Sequence, residues 1–185
     1  ICNTRPFTDG TYAGLARSTA EAGIDLSVAL PAVTKVSQVD SINRFAAQYQ
    51  EGPIISFGGI HPECGNYKEI LRQVKDLGMK GIKLHPDYQE MYFNDIRYKR
   101  LVAYASELDL IITVHAGVDP ESPNDVHCTT QMILELVREV QPGKLVLAHL
   151  GANQLWDEVE AYLAGLDVYF DTAVVLDQMP KEQFI

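Results

Sequence analysis

The sequence predicts an α/β fold in which parallel strands and helices alternate around a (β/α)8 barrel. Three observations carry that reading. Helical and strand-like patterns alternate strictly, one pair in roughly 25–35 residues, as in chains built from parallel strands with helical crossovers. The strand-like runs are short, continuous and apolar, as expected where both faces of a strand are covered. Four of the runs close on a histidine: GGIHPE (His61), GIKLHP (His85), IITVHAG (His115) and KLVLAHLG (His149). Ligands and metals gather at the carboxyl ends of parallel strands, so a histidine repeated there points to chemistry rather than packing.

The bulk numbers fit one soluble enzyme-sized unit. With 185 residues the chain is long enough for a single domain spanning 1–185 with a sizeable core. Its 46% hydrophobic and 22% charged residues are ordinary for a globular protein. A formal net charge of −10 argues against a nucleic-acid backbone or an anionic membrane as partner. The three cysteines, Cys2, Cys64 and Cys128, are widely spaced and form no C-x-x-C, which excludes a disulfide framework or zinc ribbon and suits a reducing cytoplasm. No apolar run approaches the ~18 residues of a membrane span, and no signal peptide is visible. Because the chain opens on Ile1 rather than methionine, its natural start is expected upstream.

Element by element, residues 1–10 read as loop, with Pro6, Asp9 and Gly10 as breakers. A helix is expected from Thr11 to Ala22, with Gly23 ending it, and a strand from Ile24 to Val33. The next helix covers 38–50, capped by Asp40 or Ser41, with Ile42, Phe45, Ala46 and Tyr49 as its apolar stripe. A strand at 53–62 leads to a helix at 66–78 whose apolar residues are Tyr67, Ile70, Leu71, Val74 and Leu77. A strand at 79–86, a helix at 95–108 capped by Asn94 or Asp95, and a strand at 109–117 follow. The helix at 126–140, the strand at 145–151, the helix at 156–165 and the strand at 167–173 complete the pattern, and Pro180–Ile185 opens a further helix. Trp156 is expected to pack the helix it opens.

An open doubly wound sheet competes with the barrel. No G-x-G-x-x-G or G-x-x-x-x-G-K phosphate loop occurs, which removes the usual reason for the open sheet. Histidines at successive strand ends favour the barrel, because its rim collects side chains from many strands into one site.

Strand side chains alternate in direction, so Lys83 and His85 share a face, as do Thr113 and His115, and as do Leu145, Leu147 and His149. Lys83 then points into the interior one layer below the histidines. An unpaired ammonium is expensive to desolvate, so Lys83 is expected to pair with an acid, hold an anionic substrate, or carry a carbamate. His61, Lys83 and His85 are candidate substrate contacts, with structural roles open for each. Asp171, ending YFDTA, either orients a ligand or caps the segment after it. The loop DPESPNDV at 119–126 follows a strand end and suits the mouth of a pocket. His127 reads as a surface, capping or pocket-wall residue at a helix start, and Cys128 as an inert thiol.

The order GGIHPE, GIKLHP, VHAG, AHLG and VYFDTA resembles amidohydrolase-related family 2, metal-dependent TIM-barrel enzymes of the amidohydrolase superfamily, from about Thr11 to Ile185. The resemblance implies that the visible strands are barrel strands 2 to 7 of eight. It implies His115, on strand 5, as a ligand of a divalent metal, zinc or else manganese, and His149, on strand 6, as the catalytic histidine. It also implies a small organic substrate, carboxylated or cyclic, and allows a homodimer. The family's His-x-His of strand 1 and Asp of strand 8 have no counterpart here, so the chain is expected to be a fragment lacking those strands.

The function expected from this resemblance is hydrolysis through metal-activated water, with non-oxidative decarboxylation of an aromatic or unsaturated acid as the alternative. A TatD-like deoxyribonuclease is disfavoured, since that type places Glu where this chain has Lys83 and His85, and by the acidic charge. A degenerate barrel that only binds a ligand is the non-catalytic alternative.

Overall fold

The computed structural model of the chain describes residues 10–176 and 178–184. The loop expected at 1–10, with Cys2, Pro6 and Asp9, lies outside the described residues apart from Gly10, as does Ile185. The described elements run α1 (Tyr12–Glu21), β1 (Ser27–Ala29), α2 (Val39–Ala46), β2 (Ile54–Ser56), β3 (Gly58–Gly59), α3 (Tyr67–Asp76), β4 (Gly81–Leu84) and α4 (Ile96–Glu107). They continue with β5 (Ile111–Val114), α5 (Thr130–Val140), β6 (Leu145–Leu147), α6 (Trp156–Tyr162), β7 (Tyr169–Phe170) and α7 (Lys181–Phe184).

Every strand pair is parallel, and each strand pairs with its neighbour in sequence: β1 with β2, then β3-β4-β5-β6-β7. The strand expected at 53–62 divides at Phe57, half pairing back to β1 and half forward to β4. A doubly wound sheet would reverse strand order at a switch point. Here the order never reverses, which is the winding of a barrel wall. The ladders are shorter than the apolar runs, so all four histidine-bearing runs leave the sheet one or two residues before the histidine: β3 ends at Gly59, β4 at Leu84, β5 at Val114 and β6 at Leu147.

Register sorts the side chains. Gly59, Lys83, Thr113, Val146 and Tyr169 form one row across the sheet. Paired residues of a parallel ladder face the same side, so Lys83 lies on the inner wall as expected. Ile82, Leu84, Ile112, Val114, Leu145 and Leu147 face the other way and join one core with Leu71, Val74, Leu101, Val102, Ile133 and Leu136 of the helices. Each such side chain contributes about 1.5–3 kcal/mol on burial, so this layer is what holds the wall in place.

The helix starts follow local chemistry. Thr11 accepts from the Gly14 amide at 3.0 Å, and Asp95 accepts from the Arg97 amide at 2.8 Å, which settles the choice between Asn94 and Asp95. Neither Asp40 nor Ser41 caps α2; a 3-10 turn at Val36–Gln38 runs straight into it and places both inside the first turn. The helix expected at 126–140 begins at Thr130 with Thr129 as cap, because 127 and 128 are tied up elsewhere. The His127 carbonyl accepts from Phe93 N at 2.8 Å, and that of Cys128 from Gly117 N at 2.9 Å. Gly23 ends α1 with φ of +65°, as expected. Among the described residues no helix is long and apolar enough to cross a membrane.

One buried amide ties the rim together. Gln89 donates through Nε2 to the carbonyls of Val33 and Ile60, each at 2.8 Å. Its Oε1 accepts from the Tyr98 hydroxyl at 2.7 Å and the His85 amide at 3.3 Å. All four bonding positions of the amide are used, which joins the tails of β1 and β3 to that of β4. Gln89→Leu keeps the volume but orphans these partners, and a buried unsatisfied group costs about 1–3 kcal/mol. Urea unfolding is expected to show a loss of at least about 2 kcal/mol; a loss near zero would contradict the role given to this amide.

Candidate metal centre

His115 directly follows β5, and its burial is nearly complete at 6% exposure. His85 directly follows β4, and the two imidazoles stack with centroids 4.2 Å apart and planes 5° from parallel. His85 is sandwiched on its other face by Tyr88, at 3.7 Å. Asp119 comes from the loop after β5, and its Oδ2 lies 3.5 Å from His115 Nε2 and 3.8 Å from His85 Nε2. Asp87, two residues after His85, brings its Oδ2 to 3.8 Å from His115 Nε2. His85, His115 and Asp119 each offer a ligand atom, all within 4.8 Å of one another.

His149 arrives by an unexpected route. Alternation along β6 would turn it with Leu145 and Leu147 toward the helices. Instead the chain enters left-handed conformations at His149 (φ +62°), Leu150 (φ +52°) and Gly151 (φ +93°), which swings the ring inward. Its Nε2 then meets His115 Nδ1 at 3.0 Å. Asp171 Oδ1 accepts from the His149 amide at 2.9 Å and Trp156 Nε1 donates to the His149 carbonyl at 2.9 Å, so the loop is held from both sides. Beyond it, Asn153 rejoins β5: its amide donates to the Ala116 carbonyl at 2.8 Å, and its carbonyl accepts from Val118 N at 3.0 Å. Gly117 faces this junction so closely that a Cβ there would lie 2.1 Å from Asn153 N, and its φ is +84°.

Hydrogen bonding fixes the tautomers. The Ala173 carbonyl, 2.8 Å from His149 Nδ1, can only accept, so His149 carries its proton on Nδ1. In that tautomer its Nε2 accepts, so His115 Nδ1 donates. His115 Nε2 is therefore a lone pair, and it faces two carboxylate oxygens. His115 Nε2 and Asp87 Oδ2 are buried with no hydrogen-bond partner among the described residues. Burial, then the neighbouring His149, pushes the His115 pKa down to about 3, and burial, then His115, pushes that of His85 down to about 2. Both rings are thus neutral, the form that binds metal. For His85 to offer Nε2 it gives up only a long 3.4 Å contact from the Tyr88 amide to Nδ1. Orphaned buried acceptors, neutral imidazoles and a carboxylate are a donor set that fits a divalent metal.

The remaining expected residues are placed as follows. Lys83 is buried, with no hydrogen bond or ion pair among the described residues; burial drops its pKa to about 8, with Asp171 the leading opposing charge. Asp171 uses Oδ1 on the amides of His149 and Ala173 (3.0 Å), so it shapes the His149 loop directly. His61 is buried, with its pKa lowered by burial, and its Nδ1 accepts from the Glu63 amide at 3.3 Å. It borders a cavity of about 520 Å³ shared with Thr34, Lys35, Tyr88 and Gln89. His127, expected at a helix start, lies in the loop before α5, stacked on Tyr92 and 3.2 Å from Asp87 Oδ1. Cys64 and Cys128 are free and buried, and burial pushes the Cys128 thiol well up, which makes it inert as expected. Asp87 and Asp119 were not singled out by sequence reasoning; their signal was position, two residues after one strand-end histidine and four after the next.

Gly117→Ala is expected to force β5 and the His149 loop apart, with a strain of about 1–3 kcal/mol for the left-handed backbone alone. Urea unfolding and the His115 and His149 imidazole NMR signals check this; unchanged stability and unchanged signals would contradict the junction's role.

Residues 13–183 match the family model described as Amidohydrolase. No curated protein sequence matches. Among solved structures, a TIM-barrel protein of Bordetella bronchiseptica matches with TM-score 0.67 and 16% identity over 93% of this chain and 63% of its own. A probable 2-pyrone-4,6-dicarboxylic acid hydrolase from Acinetobacter baumannii matches with TM-score 0.63 and 13% identity over 93% and 63%. A 5-carboxyvanillate decarboxylase from Novosphingobium aromaticivorans with bound manganese matches with TM-score 0.60 and 18% identity over 80% and 51%. The chain thus spans between half and two thirds of the length of these structures, and identities this low speak for the shared barrel fold.

Proposed function

Because the chain belongs to the Amidohydrolase family, we propose that it is a single barrel domain of a metal-dependent hydrolase acting on a small carboxylated or cyclic organic molecule. The observation that carries the proposal is the 3.0 Å contact of His149 with His115, whose other nitrogen is an orphaned lone pair beside Asp119. His115, Asp119 and His85 would hold the metal. Two imidazoles and a carboxylate suit zinc, with manganese second on the strength of the Novosphingobium structure. The metal would supply Lewis acidity and make hydroxide available near neutral pH.

The chain's own residues do the rest. His149 Nε2 takes a proton while the Ala173 carbonyl holds Nδ1–H, so the ring stays oriented through the transfer. To reach substrate it exchanges its bond from His115, and the left-handed loop around it, pinned by Asp171 and Trp156, limits where the ring can go. Lys83, one layer below, offers to a substrate carboxylate an ammonium that has no partner among the described residues, while His61 and Tyr88 line the neighbouring cavity. Lys83 also favours a second reading, decarboxylation of an aromatic or unsaturated acid, because a buried cation can hold the carboxylate that is lost.

His115→Ala is expected to lose the metal. His149→Ala should keep it but cut turnover by about 10²–10⁴, the usual worth of acid–base catalysis. Metal analysis and steady-state kinetics on both variants check this; wild-type turnover in both would overturn the assignment. Release of CO₂ rather than an acid would select the decarboxylase reading.

Lys83 gives a pH signature. Its ammonium persists below about 8 in the folded protein and is lost above it, so kcat/KM for a carboxylate substrate should fall as pH rises through about 8. Lys83→Gln should lower kcat/KM at neutral pH and remove that limb of the profile. The same shift predicts that stability rises between about 8 and the ordinary lysine pKa near 10.5, since the unfolded chain binds the extra proton there. A profile in Lys83→Gln identical to wild type would contradict the role of Lys83.

A further inference from the structure

Asp87 has two differently employed oxygens. Its Oδ1 accepts from Ser122 Oγ at 2.7 Å, from the His127 amide at 3.3 Å and from His127 Nδ1 at 3.2 Å. These donors sit at the middle and end of the loop from 119 to 127, which Asp87 therefore fastens across the rim. Its Oδ2 is buried, has no hydrogen-bond partner among the described residues and lies 3.8 Å from His115 Nε2. The side chain is 1% exposed.

The tautomer sequence from Ala173 through His149 makes His115 Nε2 an acceptor. Asp87 Oδ2 and Asp119 Oδ2 are acceptors as well, at 3.8 and 3.5 Å from it. Acceptor oxygens that face the His115 Nε2 lone pair from two carboxylates repel it, and in a buried setting the repulsion is weakly screened. A cation held by His85, His115 and Asp119 offsets the repulsion at His115 Nε2, which Asp87 Oδ2 shares. Asp119 opens the loop 119–127, and Asp87 grips its middle and its end, so both carboxylates that face the lone pair also determine where the loop lies.

We propose that Asp87 is an oxygen ligand of the divalent metal, and that through its other oxygen it couples metal binding to the position of the loop 119–127. The inference deepens the metal-dependent reading above and rests on it. Binding the metal fixes Oδ2, which orients Oδ1 and holds Ser122 and His127; the loop over the site is ordered when the site is loaded. The chemistry of the partner is that of a divalent cation with affinity for both imidazole and carboxylate, zinc or manganese.

The test titrates zinc into the metal-stripped protein by calorimetry and follows backbone amide hydrogen exchange with and without zinc. In the wild-type protein zinc should slow exchange across 119–127. Asp87→Asn, which keeps an acceptor for Ser122, should bind zinc at least about 10–100-fold more weakly and lose that protection. Ser122→Ala, which removes one of the three bonds to Oδ1 but leaves Oδ2, should keep near-wild-type zinc affinity while exchange quickens in the middle of the loop. Zinc binding by Asp87→Asn equal to wild type, or no zinc-dependent protection of the loop in the wild type, overturns the inference. If Asp87→Asn fails to fold, Asp87→Ser takes its place, with the same expected losses and the same overturning result. A wild-type protein that binds neither zinc nor manganese instead overturns the metal-dependent reading itself.

Discussion

The site depends on one backbone junction, the parallel pairing of Ala116–Val118 with Asn153 beyond the ends of β5 and β6. Between Leu147 and Asn153 the chain must leave the sheet and return within a few residues. It does so by passing through three consecutive left-handed positions, His149, Leu150 and Gly151. That turn points an imidazole inward from a strand whose alternation would have pointed it outward. Gly117 is required opposite because no side chain fits against Asn153. The His115–His149 contact is thus fixed by main-chain bonds, which are hard to perturb, rather than by side-chain packing alone.

Around that junction the structure assembles buried polar groups in an order that leaves specific atoms free. Gln89 uses all its bonding capacity on the rim of β1, β3 and β4, and Asp171 spends one oxygen on the His149 loop. Among the described residues three side-chain atoms are left over, Asn153 Oδ1 at the junction and the pair Asp87 Oδ2 and His115 Nε2. Buried polar atoms without partners are rare and each calls for an explanation. Here the two face one another, and a second carboxylate, Asp119, joins them. The cluster thus brings acceptors together with no donor to them among the described residues, a need that a cation would meet.

Much of this was legible in the sequence, for identifiable reasons. The alternation of elements and the apolar strands gave the parallel wall, because continuous apolar runs and helical stripes arise from burial that the chain must satisfy locally. The convergence of His85, His115 and His149 was legible because consecutive parallel strands end at one rim. Lys83 was correctly placed inward by alternation within a regular strand. Alternation failed for His149, since a left-handed turn breaks the period and is not marked by its residue type. The run at 53–62 looked like one strand because a division at Phe57 changes partners, not composition. Asp87 and Asp119 escaped notice because an acidic residue in a loop has the same local pattern whether it faces solvent or a buried imidazole. The start of α5 was read early because 127 and 128 have helical neighbours but serve long-range backbone bonds to Phe93 and Gly117.

The central claim is that His115 offers a lone pair from Nε2 to a divalent metal at the rim where His149 meets its other nitrogen. X-ray absorption at the zinc edge of the zinc-loaded protein, read together with an anomalous difference map from its crystals, tests it most directly. The account predicts one metal peak bonded to His115 Nε2 at about 2.0–2.1 Å, with mixed nitrogen and oxygen ligation. A metal bound elsewhere, or a shell that excludes the His115 ring, would contradict it.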